Sequence, residues 1–301
     1  MKYVKTVNPI TADGRKRSLS VGYAIKDLGL NVGDKLLAYL ARPEDEFEID
    51  TLLNGAGKQY YIVFSDRTDI IAAGNNTRIA EHLHYSSKVL IPIGGRSLLI
   101  RNMDLLSAYV DKYVIVVGKA EADIRTEVEQ SSYSNRVMYV RQEVTSGTLD
   151  AVRLAMSCVN DDVFLVLGDE FLINDRIDKM VDDFNNRDLD VIVGIIPNSD
   201  DCFVKDAYTL HYESGFVDKF VEKPKTIFNN DRGTGYYIIG KDVLKYLSDI
   251  DSKKKDIIDL FNYAIENGTR TASFQIAEEE YNINTIQQLD RAVNAFNSII
   301  D

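Results

Sequence analysis

The sequence predicts an α/β protein with a mixed, mostly parallel sheet covered by helices on both faces, preceded by a small, mainly β amino-terminal domain. Three observations carry this. Short runs rich in Val and Ile alternate with stretches whose apolar residues recur at three and four. Those runs are apolar throughout, as strands buried on both faces are. The charge also divides unevenly: the chain of 301 residues carries a net charge of -12, residues 1–65 hold nine Lys and Arg against eight Asp and Glu, and the rest carry -13. The expected division is a domain over 1–65 and a larger one over 66–301.

In order, the predicted strands are an apolar run ending in Ala72-Ala73-Gly74, VLIPIG (89–94), KYVIVVG (112–118), RVMYVRQ (136–142), DVFLVLGD (162–169) and DVIVGII (190–196). Helical patterns fill SLLIRNMDLLSAYV (97–110) and SGTLDAVRLAMSCV (146–159). Ligands of such sheets bind beyond the carboxyl ends of the strands, so the turns after the strands matter most. There the chain places Gly74 to Arg78, Gln142 to Thr148, and Gly168-Asp169-Glu170.

Each turn suggests a chemistry. After Ala72 and Ala73 the small Gly74 leaves backbone N–H groups open to a phosphate, and Arg78 and Lys88 add fixed positive charge. Asp169 ends an apolar run behind Gly168, so its carboxylate must be solvated, paired or bound to a cation. Magnesium suits such a site because it shares its shell between carboxylate and phosphate oxygens; an N-cap is the other reading of Asp169. Gln142 has an amide able to read a base edge, with Gly147 and Thr148 beside it; an ordinary loop with a cap at Ser146 or Thr148 is the alternative. Glu222 and Lys223 offer an acceptor for hydroxyls and a compact charge for a monophosphate, or a surface salt bridge. Thr234 and Gly235 precede the apolar pair Ile238-Ile239.

Composition excludes several classes. An acidic balance argues against tracking along a nucleic-acid backbone, which needs a basic face. No run of eighteen apolar residues appears, so a soluble cytoplasmic protein without membrane contact is expected. Cys158 and Cys202 are read as reduced core thiols, and His82 and His84 as loop surface.

In its order, the series AAGxxTR, Lys88, IPIGGRSLL, QxxxxGTxDA, LGDE, VEKP, TGYY and NINTIQQL resembles the nucleotidyltransferase family that makes nucleotide sugars from a nucleoside triphosphate and a sugar 1-phosphate. The resemblance spans about residues 68–296. It implies a Rossmann-like sheet, with Ala72, Ala73 and Gly74 at the triphosphate, Arg78 on the leaving pyrophosphate and Lys88 at the α-phosphate. Gln142, Gly147, Thr148 and Gly168 match nucleotide-binding positions, and Asp169 matches the metal aspartate. Glu222, Lys223, Thr234 and Gly235 match sugar and sugar-phosphate contacts. The implied cofactor is Mg2+, and the implied partners are a pyrimidine nucleoside triphosphate and a sugar phosphate.

The chain departs from the family pattern in places. Asn76 replaces a second glycine, Val89 replaces a proline after Lys88, and Ala207 replaces a glycine. Asn282 stands where many relatives carry a second metal aspartate. The acetylglucosamine uridylyltransferases, with an asparagine ligand, are similar instead at Asn284. A cytidylyltransferase acting on a phosphorylated alcohol or amino-alcohol, and a catalytically weak regulatory homologue, stand beside the leading reading. Residues 1–50 resemble the swapped-hairpin domain of bacterial transition-state regulators, a dimerising DNA-binding fold; because residues 1–65 are nearly neutral, an assembly module and a homo-oligomer are expected rather than DNA binding.

Overall fold

The computed structural model describes residues 84–142, 147–159 and 161–300, together with three strands before them. The chain divides into two compact units, Met1–Lys58 and Gln59–Asp301. In the first, β1 (Leu37–Tyr39) pairs antiparallel with β2 (Glu46–Glu48). The remainder of the segment likened to a swapped hairpin lies outside the described residues.

The second unit is built on a seven-stranded sheet. Its strands are β3 (Tyr61–Ser65), β6 (Lys112–Val117), β7 (Val137–Arg141), β8 (Val163–Leu167), β10 (Val191–Ile196), β13 (Arg232–Ile239) and β14 (Thr271–Gln275). Their spatial order is β14-β10-β13-β8-β3-β6-β7. β13 runs antiparallel to both β10 and β8, while the other pairings are parallel. The mixed, mostly parallel sheet expected from the sequence is therefore present.

Alternation along the strands explains the two covered faces. Tyr113, Ile115 and Val117 of β6, with Phe164 and Val166 of β8, join one core; Val114, Val116, Val163, Leu165 and Leu167 join the other. Helices α1 (Leu98–Leu106), α2 (Glu121–Glu129) and α4 (Ile177–Asn186) cover the first face. Helices α3 (Thr148–Ala155) and α7 (Ile257–Glu266) cover the second. Full burial of each Val, Leu or Ile contributes about 1.5–3 kcal/mol. Capping sets the helix starts: Ser97 Oγ accepts from Ile100 N at 3.3 Å, and the Asp256 side chain from Ile258 N at 3.4 Å.

Two expectations are corrected. VLIPIG is not a sheet strand: it forms a 3-10 turn at Lys88–Leu90, then a small hairpin of β4 (Pro92–Ile93) and β5 (Arg96–Ser97). Pro92 lacks a ladder donor, and Gly94 and Gly95 turn the chain at φ 55° and 76°, so a hairpin is what this run can form. The Tyr61–Ser65 segment, assigned by sequence to the amino-terminal side of a boundary after residue 65, stands as β3 between β6 and β8.

Beyond the sheet, β9 (Glu170–Ile173) pairs antiparallel with β15 (Glu279–Asn282), and β11 (Tyr208–Glu213) with β12 (Phe216–Glu222). Short helices α5 (Asp201–Asp206) and α6 (Lys241–Leu244) follow β10 and β13, and α8 (Ile286–Ile300) closes the described chain. A third small core beneath α8 gathers Ile91, Ile93, Leu98, Phe171, Ile173, Ile283 and Ala292. Among the described residues no helix is long and apolar enough to cross a membrane. Cys158 is half-buried, whereas Cys202 is exposed on α5 rather than in the core.

Candidate active site

Asp169 is delivered by β8. The strand ends at Leu167, and Gly168-Asp169 turns directly into β9, leaving Asp169 buried at the carboxyl edge of the sheet. No helix follows, so the capping alternative for Asp169 falls. Pairing of β9 with β15 sets Asn282 opposite Glu170, and Ile283 N donates to the Asp169 carbonyl at 2.9 Å. Two segments distant in sequence are thereby locked side by side, which brings Asn284 to Asp169.

Lys88 enters from the 3-10 turn and joins them. Its Nζ donates to Asp169 Oδ2 at 3.1 Å and to Asn284 Oδ1 at 2.5 Å. The Asn284 amide nitrogen in turn donates to Asn282 Oδ1. The entry to α8 holds the backbone beneath: Asn284 N donates to Gln288 Oε1 at 2.9 Å, while Gln288 N donates to Thr285 Oγ1 at 3.2 Å. This reciprocal cap fixes the first turn.

Behind Asp169 lies a buried ionic network that sequence reasoning missed. Glu170 Oε2 accepts from Gly235 N at 2.7 Å, Arg232 pairs with Glu280 Oε2, and Asn102 Nδ2 donates to the Glu170 carbonyl at 3.1 Å. Burial, with the charges of Glu280 and Asp169 added, pushes the Glu170 carboxyl well above its ordinary range, against the Gly235 N–H and Arg232. Burial raises Glu280 as well, with Arg232 opposing. A folded chain that binds this proton more tightly than the unfolded chain loses stability as pH rises from the ordinary carboxyl range toward the raised value. Glu170→Gln, neutral throughout and still an acceptor, should therefore melt above wild type near about pH 8, the margin vanishing near about pH 4. Equal margins at both pH values in a thermal melt would count against a neutral buried Glu170. The only sequence signal was a Glu beside the Gly-Asp turn.

The other predicted residues are distributed around this cluster. Gln142 follows β7, its backbone N–H donating to Val117 O at 2.9 Å. Its side-chain Nε2 is buried with no hydrogen-bond partner among the described residues. Gly147 opens α3 at φ 122°, and a Cβ there would meet Lys255 O at 2.3 Å. Thr148 Oγ1 accepts from Ile257 N at 3.1 Å, tying α3 to the start of α7. Glu222 and Lys223 stand together and exposed at the end of β12, 3.9 Å apart. Lys223 takes φ 45°, a left-handed backbone held by its N–H to Ala207 O at 2.8 Å.

Thr234 and Gly235 lie inside β13. Thr234 Oγ1 donates to Gly194 O at 2.9 Å, and a Cβ on Gly235 would sit 2.5 Å from Leu167 Cβ and 2.6 Å from Glu170 Oε1. Ala72, Ala73, Gly74 and Arg78 lie outside the described residues.

A Rossmann-like mixed sheet with a lysine, a carboxylate and an amide gathered at its carboxyl edge defines the class, and the chain belongs to the nucleotidyl transferase family, whose profile matches residues 69–281. It is 28% identical over 193 residues to the bifunctional protein GlmU of Methanococcus maripaludis, a match covering 64% of this chain and 44% of that protein. The chain thus matches less than half the length of this relative. Among solved structures it is similar to a UDP-glucose pyrophosphorylase complexed with UDP-glucose, at a TM-score of 0.66 and 19% identity, covering 80% of this chain and 99% of that one. It is also similar to the inositol-1-phosphate CTP transferase from T. maritima, at 0.65 and 16%, covering 81% and 97%. At such identities the likeness is one of fold.

Proposed function

We propose that the protein transfers a nucleoside monophosphate from a pyrimidine nucleoside triphosphate to a sugar 1-phosphate, releasing pyrophosphate and forming a nucleotide sugar. The observation that carries the reading is the convergence of Asp169 Oδ2 and Asn284 Oδ1 on the Lys88 ammonium at the carboxyl edge of the sheet. A cation already occupies the space between one carboxylate and one amide oxygen, so the donor set fits Mg2+, which completes its shell with water and phosphate oxygens. Asp169 and Asn284 would hold that ion, which when bound supplies charge neutralisation between the α-phosphate and the incoming phosphate.

The protein's own residues do the remaining work. An oxygen of the sugar phosphate, ionised at neutral pH, attacks the α-phosphorus in line; the new P–O bond forms as the bond to the bridging oxygen breaks and pyrophosphate departs. No general base is required, and catalysis reduces to positioning and charge. Lys88 moves from Asp169 to the α-phosphate, Arg78 neutralises the leaving group, and Ala72, Ala73 and Gly74 are the residues assigned to the triphosphate. Gln142 reads the base: its buried amide N–H₂, without a partner among the described residues, suits a pyrimidine carbonyl. Gly147, Thr148 and Gly168 shape the nucleotide pocket, and Glu222, Lys223, Thr234 and Gly235 the acceptor side. Lys223, with its constrained backbone, docks the nucleophile's phosphate. Residues 1–58, the part of the segment 1–65 that lies outside the unit carrying the seven-stranded sheet, serve as an assembly module making a homo-oligomer; a 301-residue chain that sediments as a monomer would remove this role.

The deciding experiment pairs UTP, dTTP and CTP in turn with a panel of sugar 1-phosphates and phosphorylated alcohols, with Mg2+ present, and reads pyrophosphate release. Release with a sugar 1-phosphate and one pyrimidine nucleotide is expected. Release only with CTP and an alcohol phosphate would transfer the reading to a cytidylyltransferase, and no release from any pair would point to a regulatory homologue.

A further inference from the structure

We infer that Asn282 is a positioning residue that keeps the side-chain oxygen of Asn284 turned toward the cation site. The inference rests on the proposed reading of Asp169 and Asn284 as the groups that hold the ion. An ammonium can only donate, so the Asn284 atom 2.5 Å from Lys88 Nζ is the carbonyl oxygen. The amide N–H₂ then faces the opposite way and requires an acceptor, and Asn282 Oδ1 is that acceptor. The chain of donors and acceptors runs in one direction from Lys88 through Asn284 to Asn282.

Both asparagines are anchored independently of this bond. The Asn282 backbone is registered against Glu170 in the β9–β15 ladder, so it moves with the turn that carries Asp169. The Asn284 backbone N–H donates to Gln288 Oε1 at 2.9 Å and to the Asn282 carbonyl at 3.1 Å. What the backbone leaves undetermined is the terminal torsion of the Asn284 amide, a broad and roughly two-fold rotor. Turned over, that amide would present N–H₂ to a cation and repel it. A carboxylate at 284 would have an oxygen on both sides and nothing to orient. An asparagine in this place needs a fixed neighbour, and partners of this kind change metal affinity about 10–100-fold when removed.

That difference between amide and carboxylate supplies the test. Mn2+ alone is titrated into the nucleotide-free full-length protein and followed by its electron paramagnetic resonance signal. Asn282→Ala should weaken Mn2+ binding about tenfold in the wild-type background. In an Asn284→Asp background the same substitution should cost less than about twofold, because the carboxylate is symmetric. An equal loss in both backgrounds overturns the inference, since a direct ligand or a merely structural residue would behave that way. So does no loss in either.

Thermal melts of each variant check the fold, and Asn282→Ser, whose hydroxyl is too short to reach the Asn284 amide, replaces the alanine variant should that one not fold. Asp169→Ala separates the two levels of the argument. Mn2+ binding indifferent to Asp169→Ala, or absent from wild type, removes the cation site and the inference with it. Loss in Asp169→Ala combined with equal losses from Asn282→Ala in both backgrounds removes only the role given to Asn282.

Discussion

Asp169→Ala should lower turnover by about 10³-fold or more while leaving the fold intact. The carboxylate is the one anionic group in the Lys88–Asp169–Asn284 cluster, and an amide oxygen alone holds a dication poorly. The fold should survive because the tie between the two segments is made by backbone: Ile283 N donates to the Asp169 carbonyl, which alanine retains. Removing one partner of a buried ion pair usually costs stability. Here the Lys88 side chain is 18% exposed and can turn its ammonium to water once Asp169 is gone. Pyrophosphate release at saturating Mg2+, measured beside a thermal melt, checks both halves. Activity within about tenfold of wild type, a difference of roughly 1.4 kcal/mol in barrier, would withdraw Asp169 from the site.

Gly147→Ala should have the largest effect on stability. Gly147 takes φ 122° and ψ 168°, a region essentially confined to glycine and costing about 1–3 kcal/mol for any other residue. A Cβ would also meet the Lys255 carbonyl oxygen at 2.3 Å and the Lys255 carbonyl carbon at 3.0 Å. The obstacle is backbone, so it cannot swing aside as a side chain could. Relief would have to come from moving the start of α3 away from the Lys255–Ile257 segment. That would break the bonds from Leu149 N to Lys255 O (3.0 Å) and from Ile257 N to Thr148 Oγ1 (3.1 Å). A loss of about 3 kcal/mol is expected, or roughly 6–12 °C in the melting temperature for a unit of this size. On the proposed reading of Gly147 and Thr148 as part of the nucleotide pocket, the KM for the nucleotide should rise more than kcat falls. An unchanged melting temperature would show that the turn has another conformation open to it.

Parts of this architecture were legible because local chemistry and tertiary placement agree. DVFLVL followed by Gly-Asp reads as a buried strand delivering an acid to the sheet edge, and β8 and Asp169 are found there. The helix over 148–155 follows from its apolar spacing. VLIPIG failed because this run of six residues contains a proline and ends in the first of two turn glycines, Gly94 and Gly95, which a central strand does not accept. Tyr61–Ser65 was hidden by context: its aromatic and β-branched residues suit a strand, but composition assigned it to the preceding segment.

The site was less legible than the fold. Asn284 entered through family resemblance, and nothing local to NINT announces that it meets Lys88 and Asp169. The pairing responsible joins two four-residue strands, one of them the polar Glu-Glu-Tyr-Asn, without the alternation that marks a strand. Glu280 and Arg232 resemble surface charges in sequence, yet they form a buried pair.

By itself the sequence determined the class of sheet and the turn that carries Asp169, because apolar periodicity and a Gly-Asp strand end are properties of neighbouring residues; the family was read from the resemblance of its ordered motifs. Only the tertiary structure decided what surrounds that acid. Whether a lysine pairs with it, which atom of an asparagine faces it and which carboxylates are buried behind it depend on long-range strand pairing. Such pairing brings residues together through backbone hydrogen bonds that carry no side-chain signature.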